Sequence, residues 1–337
     1  MKTANDRTTS SSEPVSIGCQ NSWSSHPLMI ELNKYAPRLL VTKDDCAGLY
    51  RKLDQGDLQY AFCSSISLVR NAEFEMALPV GISVEGTSGL AIWGLSSAQS
   101  HLKDIIDQRA KVLREIFRSS QIIKATDLKQ ALQNAVESLG RLPLPKLDFV
   151  PQLRLSTGHS SWGSLSRILY KLIFGCDAYE SLLRSPIDTS TPCIDFRVEN
   201  EALQKRCSYS HLIDLSELWL RITELPFVSS VLQKKRKTCA CRSTLSEASE
   251  LAEMRMQVEP SNYVPDMLPR NCQQQQIDLT SVWKHLSYRL SPEDIRSLQI
   301  FLYLAKPLEK KCLADQAFTL SMMRWQQKET ALASQLA

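Results

Sequence analysis

The sequence lacks a long uncharged apolar run, and its first segment is polar. No stretch of about 18 residues is both apolar and free of charge, which argues against a membrane-spanning helix. Residues 1–14 contain no apolar core of the kind that a secretory signal needs. We therefore expect a cytoplasmic protein with no membrane span and a disordered tail over residues 1–14.

The sequence also lacks an excess of charge of one sign and has few cysteines for its length. It carries 40 Lys and Arg residues against 36 Asp and Glu residues, a formal net charge of +4, which argues against nucleic acid as a partner. Ten cysteines in 337 residues are too sparse for a disulfide scaffold. The apolar fraction of 43% is that of an ordinary globular protein with one large domain or two.

Familiar catalytic motifs are missing as well. The chain contains no GxxxxGKS/T, GxSxG or HExxH pattern, and so no signal for a P-loop, a nucleophile elbow or a zinc protease. Cys239 and Cys241 form a CxC pair, but no second ligand pair lies near it at a zinc-like spacing. We expect neither a metal nor a cofactor.

Strand and helix patterns alternate along the chain. Val15–Gly18, Arg38–Thr42 and Leu58–Cys63 are predicted strands, and Lys43–Asp54 places its apolar residues on one helical face. This spacing predicts a right-handed βαβ unit. Because the alternation continues downstream, we predict an α/β fold with parallel sheets.

Two segments have the character of insertions, and the chain is expected to close with helices. Residues from about 99 to 145 form a helical insertion, and residues from about 234 to 276 form a polar surface region. Three closing helices are predicted, over Leu279–Leu290, over Pro292–Leu304 and from Leu308 onward.

Four polar loops follow predicted strands, namely Gln20–Ser25, Ser64–Ser65, Glu85–Gly89 and Thr157–Ser161. In open α/β sheets, ligands bind beyond the carboxyl ends of the strands. Loops rich in serine, threonine and glycine expose backbone N–H groups, and a helix N-terminus binds carboxylate or phosphate without a basic side chain. The alternative is that these serines and threonines only cap helices. His159, the only histidine within these loops, either serves a ligand or lies at the surface.

One segment is specific enough to suggest a family. Asp214–Val228 reads DLSELWLRITELPFV and closely resembles the DLxxEWxxxTGLPFV signature of the menaquinone-biosynthesis family of the futalosine route that contains chorismate dehydratase. Weaker matches occur in the same order as in that family: Ile17-Gly18 followed by Pro27-Leu28, then Leu53–Ser65, Leu155–Leu169 and Ser287–Ala305. Together they cover about two thirds of the chain.

The resemblance implies a two-lobed fold like that of type II periplasmic binding proteins, with helical insertions and a C-terminal helical segment. Residues 15–85 and 225–337 would form the first lobe, and residues 86–224 the second. Crossing strands near 82–93 and 222–232 would join the lobes, and the ligand would lie in the cleft between them.

The resemblance also implies a carbon–oxygen lyase that removes water from chorismate to give 3-[(1-carboxyvinyl)oxy]benzoate. The partner would then be a small dicarboxylate. Ser24 and Ser88 would be catalytic. The implied substrate-binding residues are Asn21, Ser25, Ser65, Gly86, Thr87, Thr157, Gly158, His159 and Ser160.

Departures from the family pattern keep two alternatives open. Ser24 stands where the family has an asparagine, and Ser160 replaces an arginine. The first alternative is a sibling enzyme of the same route that acts on cyclic dehypoxanthine futalosine and relies on a histidine, a role that would fall to His159. The second is a non-catalytic protein of the same fold that binds a small anion. The sequence does not indicate an oligomeric state.

Overall fold

A computed structural model gives the fold of most of the chain. It describes residues 14–35, 38–120, 122, 130–131, 133–134, 137, 150–155, 160–178, 180–182, 192–236, 248–255, 263 and 279–309. The tail over 1–13, the last predicted helix from residue 310 onward and the cysteines at 239, 241, 272 and 312 lie outside these residues. So do part of the insertion near 99–145 and most of the region near 234–276.

The first sheet begins with the predicted βαβ arrangement. Strands β1 (Val15–Gln20), β2 (Leu39–Asp44) and β3 (Tyr60–Ser64) run parallel, with β1 between the other two. The helix after β2 is capped by Asp45, which accepts a hydrogen bond from the Gly48 N–H at 2.6 Å, and ends at Gly56 in a left-handed conformation. The carboxyl ends of these three strands therefore lie along one edge of the sheet.

The rest of the first sheet is antiparallel, so the sheet is mixed rather than parallel. β10 (Phe227–Lys235) lies between β3 and β4 (Phe74–Val84) and runs antiparallel to both. β11 (Leu286–Arg289) adds to the outer edge of β4. The prediction of one helix over Leu279–Leu290 was wrong, because a short helix is followed there by this edge strand.

The second sheet contains the strands between the two halves of the first. Its five strands are β5 (Ala91–Leu95), β6 (Gln152–Leu155), β7 (Glu180–Leu182), β8 (Cys193–Val198) and β9 (His211–Asp214). Their order in space is β7-β6-β8-β5-β9. This sheet is also mixed, since β5 runs antiparallel to both of its neighbours, whereas β6 and β8 are parallel.

Helices pack against both sheets. In chain order they are α1 (His26–Asn33), α2 (Cys46–Gln55), α3 (Ser67–Arg70), α4 (Ser100–Ser119), α5 (Ser161–Phe174), α6 (Glu199–Lys205), α7 (Leu215–Thr223), α8 (248–255), α9 (Leu279–Trp283) and α10 (292–309). No helix of the described residues is long and apolar enough to span a membrane.

The chain crosses between the sheets twice, at residues 85–90 and at 224–226. Aromatic rings pack where the second crossing enters β10. The ring of Phe227 lies 4.7 Å from that of Trp162, 5.1 Å from that of Phe301 and 6.1 Å from that of Trp219, measured between centroids. These rings are nearly or fully buried and belong to one hydrophobic core that runs through both lobes.

Candidate functional site

The loop after β1 presents three serine hydroxyls at the carboxyl end of the strand. The hydroxyl of Ser22 lies 3.0 Å from those of Ser24 and Ser25. Ser25 donates to the carbonyl oxygen of Gln20 at 2.5 Å, so its hydroxyl holds the loop in shape. Ser24 is 1% exposed, and its hydroxyl points toward the second lobe.

Two aromatic residues near the end of the described chain fix this loop. The Tyr288 hydroxyl donates to the carbonyl oxygen of Ser24 at 2.7 Å. The Trp283 indole N–H donates to the carbonyl oxygen of Trp23 at 2.9 Å. The position of Ser24 therefore depends on residues more than 250 positions later in the chain.

Glu199, the first residue of α6, meets the serine loop across the cleft. Its Oε1 accepts a hydrogen bond from the Ser24 hydroxyl at 3.1 Å and from the Trp162 indole N–H at 3.4 Å. Its Oε2 is out of contact with solvent and has no hydrogen-bond partner in the described part of the chain. The residue as a whole is partly exposed, whereas this end of its side chain is buried.

The surroundings of Glu199 change its acidity. Burial raises its pKa from the ordinary 4.5 to about 7, and the hydrogen bonds from Ser24 and Trp162 oppose this shift without cancelling it. A carboxyl group with such a pKa holds or releases a proton near neutral pH, which is the property of a general acid or base.

The backbone at Glu199 lies in the left-handed region. Its φ is 51°, and its N–H donates to the carbonyl oxygen of Leu90, in the first crossing, at 2.6 Å. A non-glycine residue in this region costs of order 1 kcal/mol and recurs at functional sites. The first crossing therefore holds the carboxyl in place at an energetic cost.

A second contact across the cleft consists of serine hydroxyls and backbone groups. The Ser161 hydroxyl, at the start of α5, lies 2.6 Å from that of Ser64 and 2.8 Å from that of Ser65. The Ile66 N–H also donates to it at 3.2 Å, and Ser65 donates to the carbonyl oxygen of Val228 at 2.7 Å. All of these groups are buried.

Two of the N–H groups at the start of α5, those of Ser161 and Gly163, are occupied. The Ser161 N–H donates to the Ser64 hydroxyl at 2.6 Å, and the Gly163 N–H donates to the Ser160 hydroxyl at 3.2 Å. Ser160 thus acts as the helix cap, which is the alternative that the sequence left open for these loops. In this arrangement, an anion would have to displace serine hydroxyls to reach these amides.

The first crossing contains a separate polar cluster around Ser88. Its hydroxyl lies 3.1 Å from that of Ser216 and accepts a hydrogen bond from the Leu90 N–H at 3.2 Å. The Ser216 hydroxyl donates to the Gly86 carbonyl oxygen at 2.9 Å, and Gly86 has a φ of 79°. Ser88 is therefore linked to Glu199 through the backbone of Leu90.

The predicted site residues fall into groups. Ser24 and Ser65 form hydrogen bonds across the cleft, and Ser160 caps α5. The Ser25 hydroxyl forms a hydrogen bond within its own loop. Ser88 and Gly86 lie in the crossing cluster, whereas the side chains of Asn21 and Thr87 are exposed. Thr157, Gly158 and His159 lie outside the described residues. The assigned roles of all eleven stay predictions.

Sequence reasoning missed Glu199 and Trp162 as site residues, and it included Ser161 only as the last residue of a polar loop. A signal for Glu199 was available, because it directly follows the β-rich segment that forms β8 and so lies at the carboxyl end of a strand. Glu199 lies outside the loops rich in serine and glycine. Across the described residues, no group of three or more His, Cys, Asp and Glu side chains is arranged to hold a metal ion.

No protein-family model and no curated protein matches the chain. Solved structures do match. A protein of Archaeoglobus fulgidus is 10% identical, with a TM-score of 0.50 over 90% of this chain and 99% of that one. An ABC transporter protein of Parabacteroides distasonis is 12% identical, with a TM-score of 0.51 over 88% of this chain and 94% of that one. A Candida albicans gene product with the generic periplasmic binding protein fold is 10% identical, with a TM-score of 0.46 over 87% of this chain and 90% of that one.

At such identities these likenesses show a fold and nothing about a ligand. The chain has a two-lobed α/β fold of the periplasmic-binding-protein kind, as the sequence predicted. The resemblance to chorismate dehydratase rests on the sequence motifs alone.

Proposed function

We propose that this protein binds a small carboxylate-bearing molecule between its lobes and removes water from it, with chorismate as the substrate. The observation that carries the proposal is the meeting of Ser24 with the carboxyl of Glu199 across the cleft. Binding proteins of this architecture hold ligands between lobes, and the ordered motif matches point to the lyase. The cleft supplies hydroxyls for orientation and one carboxyl for proton transfer.

Loss of water from chorismate breaks a carbon–oxygen bond and removes a proton from the neighbouring ring carbon, which leaves an aromatic ring. The enzyme must hold the ring, assist departure of the hydroxyl and accept the ring proton. Aromatisation makes the overall reaction favourable, so orientation and proton handling are the tasks left to the protein. Ser24 and Ser88 are the hydroxyl residues that the motif resemblance assigns to them.

The test is incubation of the purified protein with chorismate. We expect a product whose mass is lower by one water, with the absorbance of a substituted benzoate, followed by liquid chromatography and mass spectrometry. Chorismate kept alone under the same conditions is the control. No conversion above that control would remove the lyase assignment.

The fold likeness is consistent with the non-catalytic alternative, in which the protein binds its ligand without converting it. Calorimetric titration of the protein with chorismate separates the two, since binding without turnover is the result expected of a ligand-binding protein. The sibling activity is tested in parallel with cyclic dehypoxanthine futalosine as the substrate. It depends on His159, and conversion of that compound but not of chorismate would favour it.

A further inference from the structure

Glu199 differs from Glu31 and Glu309, two other buried glutamates of the described chain. Glu31 is paired with Arg255 at 3.1 Å, and Glu309 is paired with Arg70 at 2.7 Å. Glu199 forms no ion pair with any residue that the structure describes, and neither its pKa shift nor its hydrogen bonds involve a cation. A buried carboxylate without a cation is costly, so this carboxyl is favoured in its neutral form.

The hydrogen bonds determine where the proton of the neutral carboxyl lies. Oε1 already accepts hydrogen bonds from Ser24 and Trp162 and so acts as the acceptor oxygen. The proton is then on Oε2, which is buried and has no partner among the described residues. A buried O–H donor without an acceptor is unfavourable, and a ligand oxygen would satisfy it.

The titratable groups around Glu199 leave this proton available. Cys46 on α2 interacts electrostatically with Glu199, and burial, with a smaller effect of Glu199, raises its pKa to about 12. Tyr288 on β11 also interacts with Glu199, and its pKa lies well above the ordinary value because it is buried. Both groups are neutral at neutral pH, so neither competes with Glu199 for the proton.

We propose that Glu199 is the general acid of the cleft and donates the proton on Oε2 to a hydroxyl oxygen of the bound molecule. This inference rests on the proposed function. The proton from Glu199 joins the leaving hydroxyl, the carbon–oxygen bond breaks and water departs. The neighbouring ring C–H then gives its proton to the Glu199 carboxylate, and its electron pair completes the aromatic ring. Glu199 is thereby restored to its starting form.

The first experiment compares Glu199→Gln with Glu201→Gln. Both residues lie on α6, and Glu201 is paired with Arg197 outside the contact with Ser24. We expect Glu199→Gln to lower the turnover of chorismate by 10²-fold or more, roughly the contribution of a general acid, and Glu201→Gln to leave it near wild type. Wild-type turnover should fall as pH rises past about 7. Full activity of Glu199→Gln would overturn the inference while leaving the lyase function in place.

The second experiment measures the proton itself. In the free protein, ¹³C-carboxyl NMR should show one glutamate that titrates near pH 7 in the wild type and in Glu201→Gln, and is absent from Glu199→Gln. Calorimetry of chorismate binding at pH 8, in buffers of different ionisation enthalpy, should show uptake of about one proton in the wild type and none in Glu199→Gln.

These measurements separate the two possible failures. If chorismate is neither bound nor converted, the proposed function fails, and a glutamate titrating near pH 7 still supports Glu199 as the proton-carrying group of the cleft. If every glutamate titrates near 4.5, Glu199 is ionised at neutral pH and the inference is wrong, whatever the activity.

Discussion

Two of the polar contacts between the lobes begin on neighbouring residues, Ser161 and Trp162, yet they differ in chemistry. At Ser161, hydroxyls and an amide satisfy one another, and no charge is involved. At Trp162, the indole meets a carboxyl that has one oxygen without a partner and a pKa raised to about 7 by burial. The first contact has the features of a structural contact that stabilises the lobes against each other, and the second has those of a reactive site. Completeness of hydrogen bonding distinguishes them better than composition does.

The largest expected effect concerns the pH dependence of stability at Glu199. Its folded-state pKa lies above the ordinary 4.5, so the folded protein holds a proton that the unfolded chain has released between pH 4.5 and about 7. The free energy of unfolding therefore falls as pH rises through this interval. Between pH 5 and pH 8, we expect the wild type to lose about 2–3 kcal/mol relative to Glu199→Gln.

Urea denaturation of both proteins across this pH range measures the difference, and Glu201→Gln serves as the matched control. Parallel stability curves for the wild type and Glu199→Gln would show that the carboxyl has an ordinary pKa. The contrast between the two contacts would then be lost.

The next effect concerns the hydroxyl contact. Ser161→Ala removes the acceptor of the Ile66 N–H and a partner of two buried serines, so we expect a loss of about 1–3 kcal/mol. Because no titrating group takes part, the loss should be the same at pH 5 and at pH 8. Ser119→Ala, at an exposed serine, should change stability by less than about 0.5 kcal/mol. A loss that varies with pH would mean that the two contacts are coupled.

The smallest effect concerns the cap between these contacts. Ser160→Ala removes the acceptor of the Gly163 N–H and should cost about 1 kcal/mol of stability. If Ser160 only caps the helix, the affinity for chorismate measured by calorimetry stays within a few-fold of wild type. Weaker binding with unchanged stability would instead place Ser160 among the ligand contacts.

The sequence was sufficient to predict those elements whose structure is determined by local patterns. The βαβ unit at the start was predictable because its periodicity and its turn residues agree, and the LPFV segment did become part of β10. The strand at Leu286–Arg289 was not predictable, because pairing with β4 overrides the local preference of those residues. The antiparallel position of β10 likewise results from a long-range pairing.

The candidate site was predictable only in its serine half. Polar loops at strand ends led to Ser24 and Ser65, since strand order brings such loops together. The pKa of Glu199 depends on burial and on Ser24, which is 175 residues away in the chain. No local pattern carries that information, so the carboxyl half of the contact came from the structure.

The strand at Leu286–Arg289 also replaces part of a long strand edge with a strand of only four residues. β4 is the longest strand of its sheet, with 11 residues, and β11 pairs with its carboxyl-terminal half through Val84, Ser83 and Val80. An uncovered strand edge offers a row of N–H and C=O groups to any other extended chain. The segment that orients the serine loop through Tyr288 thus also covers half of this strand edge, and loss of its pairing would expose the backbone of β4 as well as disturb the cleft.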